Sequence, residues 1–146
     1  MEEPKKKRNR RTRAELEAGV FDAVRQLASE KGLAQITFTD IMQRAGIQMS
    51  VLLKNYKSID RVLDKYAYFS DYWLHDLFDE EHPTDKAGED ILKRNLKSLA
   101  VYLYDNIDMQ HLLVWELEAD NPTTRRIARS REKHYRTAID ELKHLF

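Results

Sequence analysis

The stretch Thr37-Phe-Thr-Asp-Ile-Met-Gln-Arg-Ala-Gly-Ile-Gln-Met-Ser-Val-Leu-Leu-Lys-Asn-Tyr56 is the most informative part of this sequence. It predicts two short helices joined at Gly46, a layout typical of a helix-turn-helix that places its second helix in the major groove of DNA. Thr37 and Asp40 have the spacing of a capping box, and glycine readily adopts the positive φ that a sharp turn needs. Three apolar residues are expected to pack the second helix against the first: Ile47, Leu52 and Tyr56.

Composition limits the class of protein. The chain has 146 residues, enough for one compact core or a small head with a modest second domain. It has no cysteine, which excludes disulfides and thiolate chemistry. No apolar run approaches the roughly 18 residues that a membrane-spanning helix needs, so we expect neither a membrane protein nor a secreted one. With only 4 Gly and 3 Pro, the sequence predicts an all-α fold.

Charge is balanced overall but distributed unevenly. Residues 1–65 hold 14 Lys/Arg and 9 Asp/Glu, residues 66–120 hold 4 and 13, and residues 121–146 hold 7 and 3. The basic segment 1–65 carries the motif, and the acidic segment 66–120 follows it. This distribution favours a DNA-binding domain that faces phosphates and a second domain that DNA repels. The excess of five positive charges is modest, so ordinary solvated charge remains an alternative interpretation.

The N-terminal residues 1–13 form a basic arm with no apolar residue between Pro4 and Ala14. Such a segment is expected to be disordered when free. It could lie along phosphates or enter a minor groove, or it could be only a solubilising tail. The sequence divides into this arm, a helix-turn-helix domain over 14–57 and a helical domain over 58–146. Outside the motif, apolar periodicity predicts helices over 14–30, 58–80, 85–106 and 109–119 and from 122 onward.

The motif residues carry a resemblance to a known family. A first helix ending in Glu30-Lys-Gly32, followed by Thr37-x-x-x-Ile-x-x-x-Ala-Gly-Ile47, a recognition helix and an aromatic residue, resembles the tetracycline-repressor (TetR-like) family of bacterial transcription regulators. The segment from Leu113 to Arg126 is also similar to part of the regulatory domain of some members. The resemblance implies a cytoplasmic, nucleoid-associated homodimer, most often a repressor. It implies a double-stranded DNA operator and a helical body that binds a small-molecule effector.

The family pattern also implies which residues touch DNA. Residues at the exposed start of the recognition helix contact base edges in family members, and nearby lysines reach phosphates. Leu53 and Ile59 stand where the family usually has tyrosine and lysine, so two phosphate contacts are missing from their usual places and weak or unusual specificity is expected. The apolar residues could instead pack against the head or a partner. The implied DNA-binding residues are Thr37, Thr39, Gln48, Met49, Ser50, Val51, Lys54, Asn55 and Lys57.

Length is a second departure from the family pattern. The regulatory domain of the family usually ends in two further helices that form a four-helix dimer interface. This chain ends within what is predicted as its seventh helix, so these two helices are expected to be lacking. Either the chain is a fragment of a longer regulator, or its dimer forms differently.

The candidate effector-binding residues lie on the apolar faces of the later predicted helices. Aromatic residues at helical spacing are more often core than ligand contacts, and that alternative stays open. Glu116 shares an inward stripe with Leu113 and must therefore be paired or neutralised. It is expected to meet a cationic or hydroxylated ligand, or else to pair with Arg126 or His75. The candidates are Tyr66, Phe69, Trp73, Tyr102, Leu113 and Glu116.

Catalysis has little support in the sequence. The five histidines lack the spacing of metal ligands, and there is no glycine-rich phosphate loop or nucleophile elbow. We therefore expect no enzyme activity, no metal and no cofactor. One alternative from a different functional class remains: a helical protein-interaction module that keeps the helix-turn-helix shape without binding DNA specifically.

Overall fold

A computed structural model describes residues 11–71 and 88–143 of the chain, and these are helical, as composition predicted. No strand occurs among them. The elements are α1 (Arg13–Lys31), a short 3-10 helix (Leu33–Gln35), α2 (Phe38–Ala45), α3 (Met49–Tyr56), α4 (Ile59–Ser70), α5 (Gly88–Asp105), α6 (Ile107–Glu118) and α7 (Pro122–Lys143). Helices α1 and α6 begin and end within two residues of the predicted bounds. The helix predicted over 58–80 is wrong at its end, because α4 stops at Ser70 where Asp71 adopts an extended backbone.

Local capping determines where the helices begin. Thr37 accepts a hydrogen bond from the Asp40 amide, and the Asp40 carboxylate accepts one from the Thr37 amide, which confirms the capping box predicted before α2. Thr12 and Glu15 make the same pair before α1. Asn106 caps α6 by accepting from the Met109 amide, 3.0 Å away. This cap explains why α6 begins at Ile107, two residues before the predicted start.

Residues with positive φ terminate the short helices. Gly46 has φ 60° and ψ 41°, the left-handed conformation expected at the turn between α2 and α3. Lys57, which ends α3, has φ 64°, a value that side-chain-bearing residues rarely adopt. The connection from α3 into α4 is therefore as tight as the turn before α3, although no glycine marks it.

One apolar cluster joins the N-terminal helices to the later ones. Val20 and Val24 of α1 are fully buried, and so are Ile41 of α2 and Leu52 of α3. The same cluster continues through α4, α6 and α7, so the core is continuous across residue 57, the end of the predicted helix-turn-helix domain. The later members are Val62, Leu63, Tyr66, Ala67, Met109, Leu112, Trp115 and Ile127.

A polar junction crosses this core between three helices. Asp108 of α6 accepts hydrogen bonds from Arg25 Nε of α1 and from the Tyr66 hydroxyl of α4, each at 2.8 Å. A second contact joins Arg25 Nη2 to the other Asp108 oxygen at 2.8 Å. Because α1 also packs against α2, this carboxylate links the first two helices to the body of the protein. None of the described helices is both long enough and apolar enough to cross a lipid bilayer.

Candidate nucleic-acid interface

Helix α3 is amphipathic, with one face in the core and the other in solvent. Ile47, Leu52 and Tyr56 are buried, which confirms that they pack the second helix of the motif against its surroundings. Gln48, Ser50, Lys54 and Asn55 are exposed, while Met49 and Val51 are half-buried. The helix therefore presents a mixed polar and apolar surface outward, at the place where the sequence predicts contact with DNA.

An open groove of about 910 Å³ runs between the start of α1 and the outer face of α3. Among the described residues that line it, the charged side chains are Arg11, Arg13 and Lys54, all cations. Arg11 Nη1 donates a hydrogen bond to the Ala45 carbonyl at 3.3 Å, which holds the start of the chain against the end of α2. Five of the predicted DNA-binding residues meet in this groove: Gln48, Ser50, Val51, Lys54 and Asn55.

Arg11 and Arg13 are absent from the predicted site residues, although the structure places them beside α3. The sequence contained a usable signal. Thr12-Arg-Ala-Glu15 has capping-box spacing, which would have started α1 at Arg13 and brought the two arginines next to the motif.

The remaining predicted DNA-binding residues lie outside the groove. The Thr37 hydroxyl donates to Asp40 at 2.7 Å, so its first role is to cap α2. Thr39 is exposed on the first turn of α2, and Met49 is half-buried at the start of α3. Within the groove, the Asn55 side-chain amide donates to the Val51 carbonyl at 2.8 Å, which commits one of its polar atoms to its own helix.

A second groove of about 670 Å³ lies on the other side of α3, against α4. Lys57 and Arg61 are exposed along it. Asp64, which lines the groove, and Glu17, which contacts the lining residue Lys65, each have a basic partner. Asp64 forms an ion pair with Arg126, and Lys65 forms one with Glu17. The exposed rings of Tyr68 and Phe69 complete this lining. Helix α3 is therefore flanked by cations on both sides.

Acidic side chains on the first two helices are held by their own basic partners. Arg44 binds both oxygens of Glu30, at 2.6 and 2.7 Å. Lys31 lies 2.6 Å from Asp40, and with the Thr37 hydrogen bonds it lowers the pKa of that carboxyl to about 2. In contrast, the cations around α3 form ion pairs with none of the carboxylates in the described ranges. These cations are Arg11, Arg13, Lys54, Lys57 and Arg61.

The predicted effector-binding residues in the described ranges mostly have structural roles. Tyr66 is buried and donates to Asp108, and burial followed by that hydrogen bond raises the pKa of its phenol. The Tyr102 hydroxyl accepts from Asn106, and Leu113 packs against the core. Phe69 is 58% exposed, with its ring centroid 5.7 Å from that of Phe21. Trp73 lies outside the described residues.

Glu116 is paired, but with a residue that the sequence did not indicate. Arg131 Nη1 lies 2.7 Å from Glu116, and its Nε donates to the buried Asp71 at 2.9 Å. The predicted partner Arg126 was wrong, because it binds Asp64 instead. His75 lies outside the described residues. Burial raises the pKa of Glu116 and outweighs the opposing effect of Arg131, since a single guanidinium serves two carboxylates.

No protein-family model matches the chain, and no curated protein or solved structure matches it either. Within the described ranges, no three His, Asp or Glu side chains converge in a way that could hold a metal ion.

Proposed function

We propose that this protein is a TetR-like DNA-binding transcription regulator whose α3 enters the major groove of double-stranded DNA. The observation that carries the proposal is the outward face of α3, set between cations that form no ion pair with a described carboxylate. Phosphate contacts supply much of the affinity in protein–DNA complexes, and base contacts supply specificity. The arrangement around α3 offers both kinds of contact.

The side chains divide into two roles under this proposal. Lys54 on α3 and the flanking Arg11 and Arg61 reach phosphates on either side of the groove. Gln48 and Ser50 are the polar groups that can hydrogen-bond to base edges. Val51 offers an apolar contact to a thymine methyl group but no bidentate hydrogen bond. We therefore expect affinity to fall steeply as salt concentration rises and to differ little between duplexes of different sequence.

The resemblance extends the proposal to regulation. We infer a repressor that a small-molecule effector releases from its operator, with two copies of the head on inverted half-sites. The support for this part is the motif resemblance and the acidic character of residues 66–120, which disfavours contact between DNA and the body.

The test is a titration of labelled duplexes across a range of salt concentrations, after selection of bound sequences from a random pool. Replacing both Lys54 and Lys57 by alanine should weaken every duplex by a similar factor. It should also reduce the log–log salt slope by about 1.8, since each phosphate contact contributes about 0.9. Lys143→Ala, an exposed lysine at the end of α7, is the matched control and should leave the slope unchanged.

A second candidate, a protein-interaction module, is favoured by one observation. Leu53 is 46% exposed on the outer side of α3, beside half-buried apolar neighbours. A module that uses this surface on a protein would show no binding to any duplex at low salt. In that case the Lys54 and Lys57 substitutions would have no effect on duplex titrations, and the DNA-binding proposal would be rejected.

A further inference from the structure

The groove between α3 and α4 has two ends of different chemistry. Lys57 and Arg61, both exposed, lie at the end where α4 begins. Tyr68 and Phe69, which are 55% and 58% exposed, lie at the other end, in the last turn of α4. These rings are seven and eight positions after Arg61 in the sequence, so the cationic and aromatic ends are roughly 10–12 Å apart along the helix axis.

The two ends lie on one side of α4, because Arg61, Lys65 and Tyr68 recur at i, i+4 and i+7, the spacing of one helix face. Lys65 lies between the ends. Its ammonium pairs with Glu17 and is 6.0 Å from the centroid of the Tyr56 ring. The charge in the middle of the groove is therefore neutralised, and the unpaired positive charge is confined to one end.

Acidic side chains do not cancel the charge at the cationic end. Asp64, the one acid among the described residues that line the groove, forms an ion pair with Arg126. Asp60, which precedes Arg61 in the sequence, does not line the groove. Lys57 and Arg61 form ion pairs with none of the carboxylates in residues 11–71 and 88–143. Both positive charges are therefore available to an anionic ligand.

Ring contacts hold the aromatic end in place. The Phe69 ring centroid is 5.7 Å from that of Phe21 on α1 and 5.6 Å from that of Tyr68. Phe21 in turn packs edge-on against the buried Tyr66, with the centroids 5.8 Å apart. The exposed rings are thereby anchored to the core. A ligand that stacks on them has little side-chain freedom to remove, which lowers the entropic cost of binding.

We propose that this groove binds a small organic anion with an aromatic body. The acid group of the ligand contacts Lys57 and Arg61, and its body lies on Tyr68 and Phe69. Charge complementarity selects an anion at one end, and exposed ring faces select an apolar body at the other. The groove volume of about 670 Å³ is within the range of small-molecule sites, which favours a free ligand over a membrane or a second protein.

The site differs from the effector cavity that the family resemblance implies. That cavity lies among the later helices, whereas this groove lies between the recognition helix and α4. Arg61 is also one of the cations assigned to DNA phosphates. The inference rests on the proposed function in one respect only: an acid group beside Arg61 takes the place of a phosphate, so the anion excludes DNA directly and no conformational change is needed.

The first test uses biphenyl-4-carboxylate as the probe, in isothermal titration calorimetry with the full chain. Two further compounds separate the two ends of the groove. Biphenyl-4-carboxamide has the same shape without the charge, and benzoate has the charge without the second ring. We expect the carboxylate to bind about tenfold more tightly than either, because each of the others lacks one kind of contact.

Substitutions locate the bound probe. Arg61→Gln should raise its dissociation constant about fivefold through loss of an exposed charged contact, and Phe69→Ala should raise it about tenfold through loss of a ring face. Arg94→Gln and Leu96→Ala are the matched controls. Both residues are exposed on α5 and line no part of the groove, so these variants should bind like the unmodified chain. Circular dichroism establishes that each variant keeps its helices, and the compound series needs no variant at all.

Duplex titrations at several probe concentrations test the exclusion of DNA. The apparent dissociation constant of the duplex should rise in proportion to the concentration of biphenyl-4-carboxylate and reach no plateau, as mutually exclusive binding requires. A plateau would mean that probe and duplex bind together, and it would overturn the shared use of Arg61.

Three outcomes would overturn the site itself. They are equal affinity for the carboxylate and the carboxamide, a probe affinity indifferent to both Arg61→Gln and Phe69→Ala, and binding to anionic phospholipid vesicles without binding to the free probe. The proposed function fails differently. A chain that binds the probe in this way but binds no duplex keeps the site and loses the DNA-binding role, whereas a chain that binds duplexes but not the probe does the reverse.

Discussion

Replacing Asp108 by alanine removes the acceptor that joins α1, α4 and α6. The carboxylate receives Arg25 Nε at 2.8 Å, Arg25 Nη2 at 2.8 Å and the Tyr66 hydroxyl at 2.8 Å. We expect the variant to lose about 1–4 kcal/mol of unfolding free energy, made up of two unequal contributions.

The larger contribution comes from Tyr66, which is 1% exposed. Without Asp108 its hydroxyl keeps only the Ser70 side chain within hydrogen-bond reach. Losing the charged acceptor costs about 1–3 kcal/mol. Arg25 contributes less because its side chain is 45% exposed. Solvent can rehydrate the guanidinium, so losing this pair costs at most about 1 kcal/mol.

Urea unfolding followed by circular dichroism measures this loss, and a double-mutant cycle assigns it. Tyr66→Phe removes the hydroxyl that Asp108→Ala deprives of its charged acceptor. The double variant should therefore be less destabilised than the sum of the single variants, by about 1–2 kcal/mol. Strict additivity, or an Asp108→Ala variant as stable as the original chain, would refute the assigned junction.

The same junction predicts a response to acid. Burial alone would raise the pKa of Asp108, but the hydrogen bonds from Arg25 and Tyr66 outweigh it and hold the pKa below its ordinary value of 3.8. A carboxyl with a lowered pKa binds fewer protons when folded. Its contribution is complete above the ordinary value and disappears as pH falls through the folded value. The Asp108→Ala penalty should therefore shrink below about pH 4.

Three further changes test other parts of the fold. Gly46→Ala should cost about 1 kcal/mol in urea unfolding, because the added Cβ would meet no atom within 4 Å and only the left-handed backbone opposes it. Lys57→Gly should raise stability by about 0.5–1 kcal/mol through relief of its φ of 64°, while duplex titrations show weaker binding. Glu116→Gln should raise stability at neutral pH, because it leaves Arg131 to Asp71 alone. Since the pKa of Glu116 is raised above 4.5 in the folded state, thermal melts should show this gain fading as pH falls toward that value.

Local signals in the sequence were sufficient to predict much of the fold. The Thr37 cap, the turn at Gly46 and the burial of Leu52 each depend on a few neighbouring residues, and each is confirmed. The start of α6 shows the limit of apolar periodicity. Asn106 caps that helix with a side-chain hydrogen bond, and a pattern of apolar residues gives no information about a polar cap.

Pairing between distant charges could not be predicted in the same way. Arg25 and Asp108 are 83 residues apart, and Glu116 pairs with Arg131 rather than with the equally basic Arg126. The chain holds 25 basic and 25 acidic residues, so many partners are chemically equivalent. Only the packing of α1, α4, α6 and α7 decides which of them meet. Arg11 and Arg13 are absent from the predicted site for a different reason. The sequence predicts a disordered arm over residues 1–13, and a disordered segment has no fixed place beside α3.

The zero net charge of the chain is a poor guide to how it would interact with DNA. At physiological salt the screening length is about 8 Å, so a phosphate responds mainly to the charges next to it. Acids such as Glu30 and Asp40 are already bound to basic neighbours, and Glu15 and Asp60 line neither groove beside α3. The acidic excess falls instead in residues 66–120. A neutral chain that separates its charges in this way can attract a polyanion to one surface and repel it from the rest.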